Sequence, residues 1–379
     1  MRIGIVGNYG HDNNGDEAIL TGIIQQLVEY QGVRKEDIVV FSNSPEKTAQ
    51  QYGVKAVYLL KKKGNFIRSV GSTLKQHIRV VQSLDVLIVG GGGLLMDMYK
   101  RDAPLYSSLV FIARLLQKKV MIYGVGAGPI QTALGKWLIR QMVQLSHAVF
   151  VRDEDSKQLL HRIGVRKEIR VIADPAFTLH NDVKKEERPA IRRIGVTAVP
   201  YFSHTYWPVA NKEKYGQYVK NMAQNLDTLI EQLGAEIVLF STKFPQDVQV
   251  TEHIYEQMAH QEAVTIKKDN LTPKRILKVC QDVDLVIGTR LHSLILAVAA
   301  ETPIIGIGYH PKVKSFFETL NLSSMYVPID GLKDSNTLWN VITNEYHNWN
   351  EKQQQFRTLS EQKRKEAVQG IRVIDQLGE

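Results

Sequence analysis

Twice along this chain, short runs of β-branched and other apolar residues alternate with longer stretches whose apolar positions recur at helical spacing. The first series predicts strands over Arg2–Val6, Asp37–Ser42, Asp85–Val89, Lys119–Gly124, Ala148–Arg152 and Arg170–Ala173. A charged stretch, Asn181–Arg193, holds Pro189 and interrupts it. The series restarts with Ile194–Val199, Glu236–Ser241, Ala263–Ile266, Leu285–Gly288 and Pro303–Ile307. Apolar strands separated by helices pair in parallel and are covered on both faces. The pattern therefore predicts an α/β chain with two parallel sheets. Residues 1–180 form the first domain, 181–193 a linker, 194–335 the second domain and 336–379 a helical segment anchored by Trp339, Ile342, Trp349, Phe356 and Leu359. A length of 379 residues suits two domains.

In open parallel sheets, ligands bind beyond the carboxyl ends of the strands, so chemistry is sought there. Strand one runs into Gly7-Asn8-Tyr9-Gly10 and then Asn14-Gly15-Asp16-Glu17 at the start of a helix. The glycine spacing is not that of a dinucleotide fingerprint, and strand two ends at Ser42 and Asn43 without the acid that would hold a ribose, which argues against a nicotinamide cofactor. Asp16 and Glu17 suit the helix dipole as first-turn acids, or act on a ligand. The run Gly90–Gly93 permits close backbone approach to a ligand or to a neighbouring loop. Arg152 ends another strand, where it either binds an anion or pairs with Asp153 or Asp155. The loop Tyr201–Trp207, with His204, suits a sugar face.

The most informative stretch is Gly288-Thr289-Arg290-Leu291-His292, a tight turn between an apolar strand and an apolar helix. It puts a fixed cation and a titratable proton donor beside the free N–H groups of a helix N-terminus, a ready anion site. Lys312, after the next strand, adds a second cation. No spacing typical of a metal site and no Gly-Lys-Ser/Thr phosphate loop occurs.

Composition bounds the rest. The single cysteine, Cys280, excludes an intrachain disulfide and suits a reducing cytosol. No apolar stretch reaches a membrane span, and the first residues lack a signal-peptide pattern. The expected location is cytoplasmic. Net charge is +9, part of it in Lys61, Lys62, Lys63, Arg68, Lys75 and Arg79, a stretch without carboxylates in which Phe66, Ile67, Val70, Leu74 and Ile78 recur at helical spacing. It is either a solvated helix with a core face or a peripheral contact with anionic lipid at the inner face of the cell membrane. No nucleic-acid-binding module accompanies the charge.

In this order, Gly7-Asn8-Tyr9-Gly10 with Asn14–Leu20, Gly90–Gly93, Tyr123–Pro129, Val151-Arg152-Asp153 with Ser156, Asp174–Phe177, Arg290-Leu291-His292 and Gly306 through Lys312 resemble the polysaccharide pyruvyl transferase family, specifically its CsaB type of Gram-positive bacteria. The resemblance covers most of the chain. It implies a GT-B-like fold, with two Rossmann-like domains and an inter-domain cleft. It implies pyruvyl transfer from phosphoenolpyruvate to a sugar, giving a ketal and phosphate, with no cofactor. The implied acceptor is N-acetylmannosamine of a lipid-linked secondary cell wall polymer precursor, whose ketal serves S-layer anchoring. Arg290, Leu291 and His292 match the family's signature for donor binding and catalysis. Position 310, often acidic in such sequences, is His310 here and receives no catalytic role.

For that chemistry, Arg290 grips one donor anion bidentately, Lys312 the other, and His292 protonates the methylene carbon, with Asp16 or Glu17 as base. Gly92, Gly93, Asn14, Arg152 and His204 complete the candidate substrate contacts. A nucleotide-sugar-dependent GT-B glycosyltransferase or epimerase would share the architecture, with Glu318 as its candidate ribose ligand. A glycan-binding protein would share the aromatic loop but has no need of Arg290 beside His292.

Overall fold

A computed structural model describes residues 1–61, 66–99, 101–180, 185–207 and 209–375. By internal contacts the chain divides into two compact units, Met1–Thr178 together with the chain from Lys363 on, and Leu179–Gln362.

The first unit alternates β1 (Ile3–Val6), α1 (Asn14–Gln31), β2 (Ile38–Ser42), α2 (Pro45–Tyr52), β3 (Lys55–Tyr58), α3 (Phe66–Gln82) and β4 (Val86–Gly90). It continues with α4 (Asp102–Leu115), β5 (Lys119–Val125), α5 (Ala133–Leu145), β6 (Ala148–Val151), α6 (Glu154–Arg162) and β7 (Arg170–Val171). The seven strands are parallel in the order β3-β2-β1-β4-β5-β6-β7. Because side chains alternate along a strand, Val6, Val39, Phe41, Leu87 and Val89 enter one core with residues of α3, α4 and α5, such as Val81, Leu109 and Ile139.

The second unit alternates β8 (Arg193–Thr197), α7 (Lys212–Leu233), β9 (Glu236–Phe240), α8 (Gln246–Gln257), β10 (Val264–Lys267), α9 (Pro273–Asp282) and β11 (Leu285–Gly288). It then runs through α10 (Leu291–Ala299), β12 (Ile304–Gly308), α11 (Pro311–Thr319), β13 (Tyr326–Pro328), α12 (Thr337–Glu345) and α13 (Trp349–Ala367). Its six parallel strands run β10-β9-β8-β11-β12-β13. Buried Cys280 lies in α9.

Eleven of these strands follow the apolar runs read from the sequence. The pattern missed β3 and β13, the partly exposed Lys-Ala-Val-Tyr and Tyr-Val-Pro, which are too short and too polar to stand out from loops. Of the predicted linker, residues 181–184 lie outside the described residues, and 185–193 are stitched to the second unit. Lys185 Nζ donates to the carbonyls of Val283 (2.6 Å) and Gln281 (3.2 Å) and to Thr302 Oγ1 (2.7 Å). Burial pulls its pKa down to about 8. Buried Asp284 accepts from the backbone N–H groups of Arg192 and Arg193, each at 2.7 Å. Within the expected C-terminal helical segment, Phe356 and Ile342 are buried as anchors, whereas Trp339 is only partly buried and Leu338 takes the inner position. Beyond Gln362 the chain belongs to the first unit, where the Tyr123 hydroxyl donates to the Ala367 carbonyl (2.6 Å).

Each sheet reverses its strand order once, between β1 and β4 in the first unit and between β8 and β11 in the second. Loops leaving such neighbours diverge to opposite faces and leave a crevice at their carboxyl ends. Asn14, Asp16, Glu17, Gly92 and Gly93 follow the strands of the first of these points and His204, Arg290, Leu291 and His292 those of the second, whereas Arg152 follows β6 and Lys312 follows β12.

Candidate functional site

In the first unit the β1–α1 loop is folded onto its own helix. The Asn13 side chain caps α1 by accepting from Gly15 N (3.3 Å). The Tyr9 hydroxyl donates to Gly90 O at 2.5 Å, which ties this loop to the end of β4. Asp16 is buried, and its Oδ2 accepts from Asn8 Nδ2 (2.9 Å) and Asn13 Nδ2 (2.7 Å). Gly92, at φ +68°, passes so close that a Cβ there would stand 2.6 Å from Asp16 Oδ1. The glycine is needed because the backbone meets that carboxylate. Gly93 is partly exposed next to it, and Asn14 is buried in the first turn of α1.

Glu17 has a different job. Its Oε1 accepts from Gly10 N (2.7 Å) and its Oε2 from the Tyr52 hydroxyl (2.5 Å). Burial raises its pKa, and these two hydrogen bonds only partly oppose that. Both oxygens are spent on holding the loop to α2. Arg152 is likewise engaged: it is buried, with Nε 3.4 Å from Asp153 and Nη1 3.6 Å from Asp174, and Gly126 leaves room for its guanidinium. Its charge is answered by two carboxylates of the same unit, so the pairing reading describes its surroundings better than a free anion site.

In the second unit, Thr289 and Ser293 pin the β11–α10 turn to the end of β8. Ser293 Oγ lies 2.8 Å from Thr197 Oγ1, and Thr289 N donates to Thr197 O (3.2 Å). Arg290 is the N-cap residue of α10, but its side chain does not cap the helix. Instead, Nη2 donates to Asp247 Oδ1 (2.5 Å), Nε to Asp247 Oδ2 (3.1 Å) and Nη1 to the Tyr206 hydroxyl (3.0 Å). The predicted bidentate grip on a donor anion therefore meets a fork that already holds Asp247. A guanidinium this deeply buried requires such a partner. Although burial lowers the Arg290 pKa, fully buried Asp247 more than restores it.

Lys243 joins this pair from the end of β9. Its Nζ stands 4.7 Å from the Tyr206 ring centroid, and its backbone N–H donates to Asp247 Oδ2 (3.1 Å). Burial pushes the Tyr206 phenol upward, but the charge and hydrogen bond of Arg290, with Lys243, outweigh it, and the net shift is below the ordinary tyrosine value. Trp207 packs tilted on Tyr206, with centroids 6.3 Å apart, and Tyr201 and Tyr309 pack edge to face on Trp207 at 5.2 Å and 5.6 Å. The aromatic loop expected to face a sugar thus builds a small cluster of its own, and His204 is exposed at its tip.

Leu291 and His292 open α10 and are partly exposed, so His292 sits in the first turn of the helix, two residues after Arg290. Lys312 lies in the first turn of α11, with its N–H bonded to His310 Nδ1 (3.2 Å). That cap explains a histidine at position 310: a neutral ring accepts, and burial together with Lys312 lowers its pKa. Glu318 is exposed and pairs with Lys314 along α11 at 3.6 Å. Among the described residues, no group of three or more His, Cys, Asp or Glu side chains could hold a metal ion.

Sequence reading missed Asp247, Lys243 and Tyr309 as parts of this site. The signal for Asp247 and Lys243 was present, since both follow a strand end beside the switch point, but nothing local singles out Lys-Phe-Pro-Gln-Asp.

The profile of the polysaccharide pyruvyl transferase family matches residues 13–311, from the N-cap of α1 to the first residue of α11. The chain belongs to this family. Membership makes it a transferase of pyruvyl groups onto polysaccharide. The amylovoran biosynthesis protein AmsJ of Erwinia amylovora is 25% identical over 426 residues, 96% of each chain. Among solved structures, Anabaena Alr3699/HepE in complex with UDP and glucose has a TM-score of 0.62 at 11% identity, covering 100% of this chain and 99% of its own. The UDP-GlcNAc 2-epimerase of Methanocaldococcus jannaschii has a TM-score of 0.61 at 12% identity, covering 90% and 92%. MurG of Acinetobacter baumannii has a TM-score of 0.55 at 13% identity, covering 100% and 99%. These likenesses carry the fold alone: this pyruvyl transferase has two Rossmann-like domains of the GT-B kind.

Proposed function

We propose that this transferase takes its pyruvyl group from phosphoenolpyruvate and sets it as a cyclic ketal on two hydroxyls of one sugar, releasing phosphate. The observation that carries this reading is Lys243, a cation just beyond β9 held over the ring of Tyr206, the residue whose hydroxyl receives Arg290. Arg290 is neutralised by Asp247, so Lys243 supplies the charge that a dianionic donor needs, and the amides of the α10 N-terminus directly follow Arg290. Lys312 is a second candidate, one helix further along. The resemblance in sequence implies N-acetylmannosamine of a lipid-linked secondary cell wall polymer precursor as acceptor.

His292 is the proposed acid. It gives a proton to the methylene carbon, which becomes the ketal methyl group and leaves the adjacent carbon electrophilic. An acceptor hydroxyl bonds to that carbon and passes its proton to a base. The bond to phosphate oxygen breaks, and the second hydroxyl closes the ring, its proton leaving with phosphate. Asp16 is the base proposed of the two acids considered: Asn8 and Asn13 both donate to one of its oxygens, Oδ2, whereas Gly10 and Tyr52 divide both oxygens of Glu17 between them. Hence Asp16→Asn is expected to lower turnover about 10²–10⁴-fold, whereas Glu17→Gln, which keeps an acceptor for Gly10 N, stays within about tenfold of wild type on the same scale. Equal losses in phosphate-release assays would remove Asp16 from this role.

Donor identity is tested by thermal melts with phosphoenolpyruvate and, separately, UDP-sugars. A ligand at 100 times its Kd adds about 2.7 kcal/mol. Phosphoenolpyruvate should raise the melting temperature, and Lys243→Gln should weaken that effect by roughly 10–100-fold in affinity, the loss of one charge-assisted contact. Stabilisation by a UDP-sugar alone would instead support the nucleotide-sugar alternative.

A further inference from the structure

The helix α3 is fastened to the first unit by an unusual stripe. Thr73, His77 and Val81 are its buried positions. Thr73 Oγ1 accepts from Lys61 N (3.0 Å), and His77 Nε2 lies 3.1 Å from Leu59 O with its ring edge-on to Phe41. The larger aliphatic side chains lie outside. Val70, Leu74 and Ile78 are 49%, 45% and 41% exposed. With about 3.6 residues per turn, these three flank the buried stripe. Beyond Gly71 on the same side come Arg68, Lys75 and Arg79, all exposed. From Lys47 to Leu84 the sequence contains no carboxylate. Lys62 and Lys63 of this basic stretch lie outside the described residues.

We propose that this flank of α3 docks the protein reversibly on an anionic lipid surface. An aliphatic strip bordered by cations matches the boundary between acyl chains and headgroups, where apolar side chains lose water and cations meet phosphate. Two other occupants fit less well. A second copy on the same face would bring Lys75 and Arg79 against their own equivalents across a twofold axis, with no carboxylate to answer them. A nucleic acid would neutralise the charge but leave Val70, Leu74 and Ile78 in water, and among the described residues the flank offers no aromatic ring for base stacking. The helix itself does not cross a bilayer, since among the described residues no helix is long and apolar enough.

The test is flotation of the full chain with vesicles of phosphatidylcholine alone or mixed with phosphatidylglycerol. No donor or acceptor is present, so the result is independent of the proposed chemistry. Wild type should bind the anionic vesicles only. Binding should fall as salt shortens the Debye length from about 10 Å at 0.1 M to about 3 Å at 1 M. Lys75→Gln with Arg79→Gln should weaken partitioning about 30-fold, roughly fivefold per cation. Leu74→Ser with Ile78→Ser should weaken it by at least about tenfold. Both variants should melt as wild type, because the substituted side chains are exposed. The proposal is overturned if wild type ignores anionic vesicles at low salt, if both double variants bind undiminished, or if wild type is a dimer that Leu74→Ser with Ile78→Ser dissociates while no form binds vesicles.

Discussion

Replacing His292 by alanine is expected to reduce turnover by about 10²–10⁴-fold, the usual contribution of a positioned general acid. The residue sits in the first turn of α10 and is partly exposed, so its loss removes little packing. The turn is held by Thr289, Ser293 and Thr197, none of which is touched by the change. The melt should therefore match wild type, and donor affinity should fall far less than turnover. Phosphate release from phosphoenolpyruvate with a sugar acceptor, measured beside circular dichroism, decides the matter. A folded His292→Ala protein with near wild-type turnover would take this histidine out of the mechanism.

The second large effect is on stability. Asp247→Ala should destabilise the second unit by about 3–5 kcal/mol, because it strands the buried Arg290 guanidinium without its counter-charge. Asp247 is fully buried and only 13% of the Arg290 side chain is exposed, so solvent does not repair the loss. The same carboxylate accepts from the backbone N–H of Lys243, so the segment that carries the cation proposed to meet the donor loses a tether as well. Asp247→Asn keeps one acceptor oxygen and should cost less than the alanine variant. Urea unfolding of both variants, followed by phosphoenolpyruvate titration of whichever stays folded, gives the answer. If Asp247→Ala unfolds at the wild-type urea midpoint, the pair is not what holds this site together.

The importance of these two residues was not equally visible in the sequence. His292 stands out because a titratable ring follows Arg290 at the head of an otherwise apolar helix, a purely local pattern. Asp247 lies 43 residues from Arg290, in the first turn of α8 and without a recognisable motif around it, and only folding brings the two within hydrogen-bond distance. Tyr206, 84 residues from Arg290, was legible as part of an aromatic loop but not as the hydroxyl that receives the guanidinium. Similarly, Asp16 and Glu17 are equivalent first-turn acids in the sequence. Tyr52, 35 residues further on, makes them different by taking a Glu17 oxygen.

What the sequence determined by itself is whatever depends on near neighbours. Short apolar runs alternating with helical patterns set eleven of the strands, their parallel pairing and the position of the strand-end loops, because strand and helix periods are written within a few residues. Strand order, and hence the two switch points where those loops diverge, was settled only by long-range packing. Packing also decided which charges are spent internally, as with Arg152 and Arg290, and which side chains of α3 remain in water. An amphipathic pattern states that a helix has two kinds of face; the neighbours that cover it decide which one is buried. For α3 they cover Thr73, His77 and Val81 and leave the aliphatic flank open.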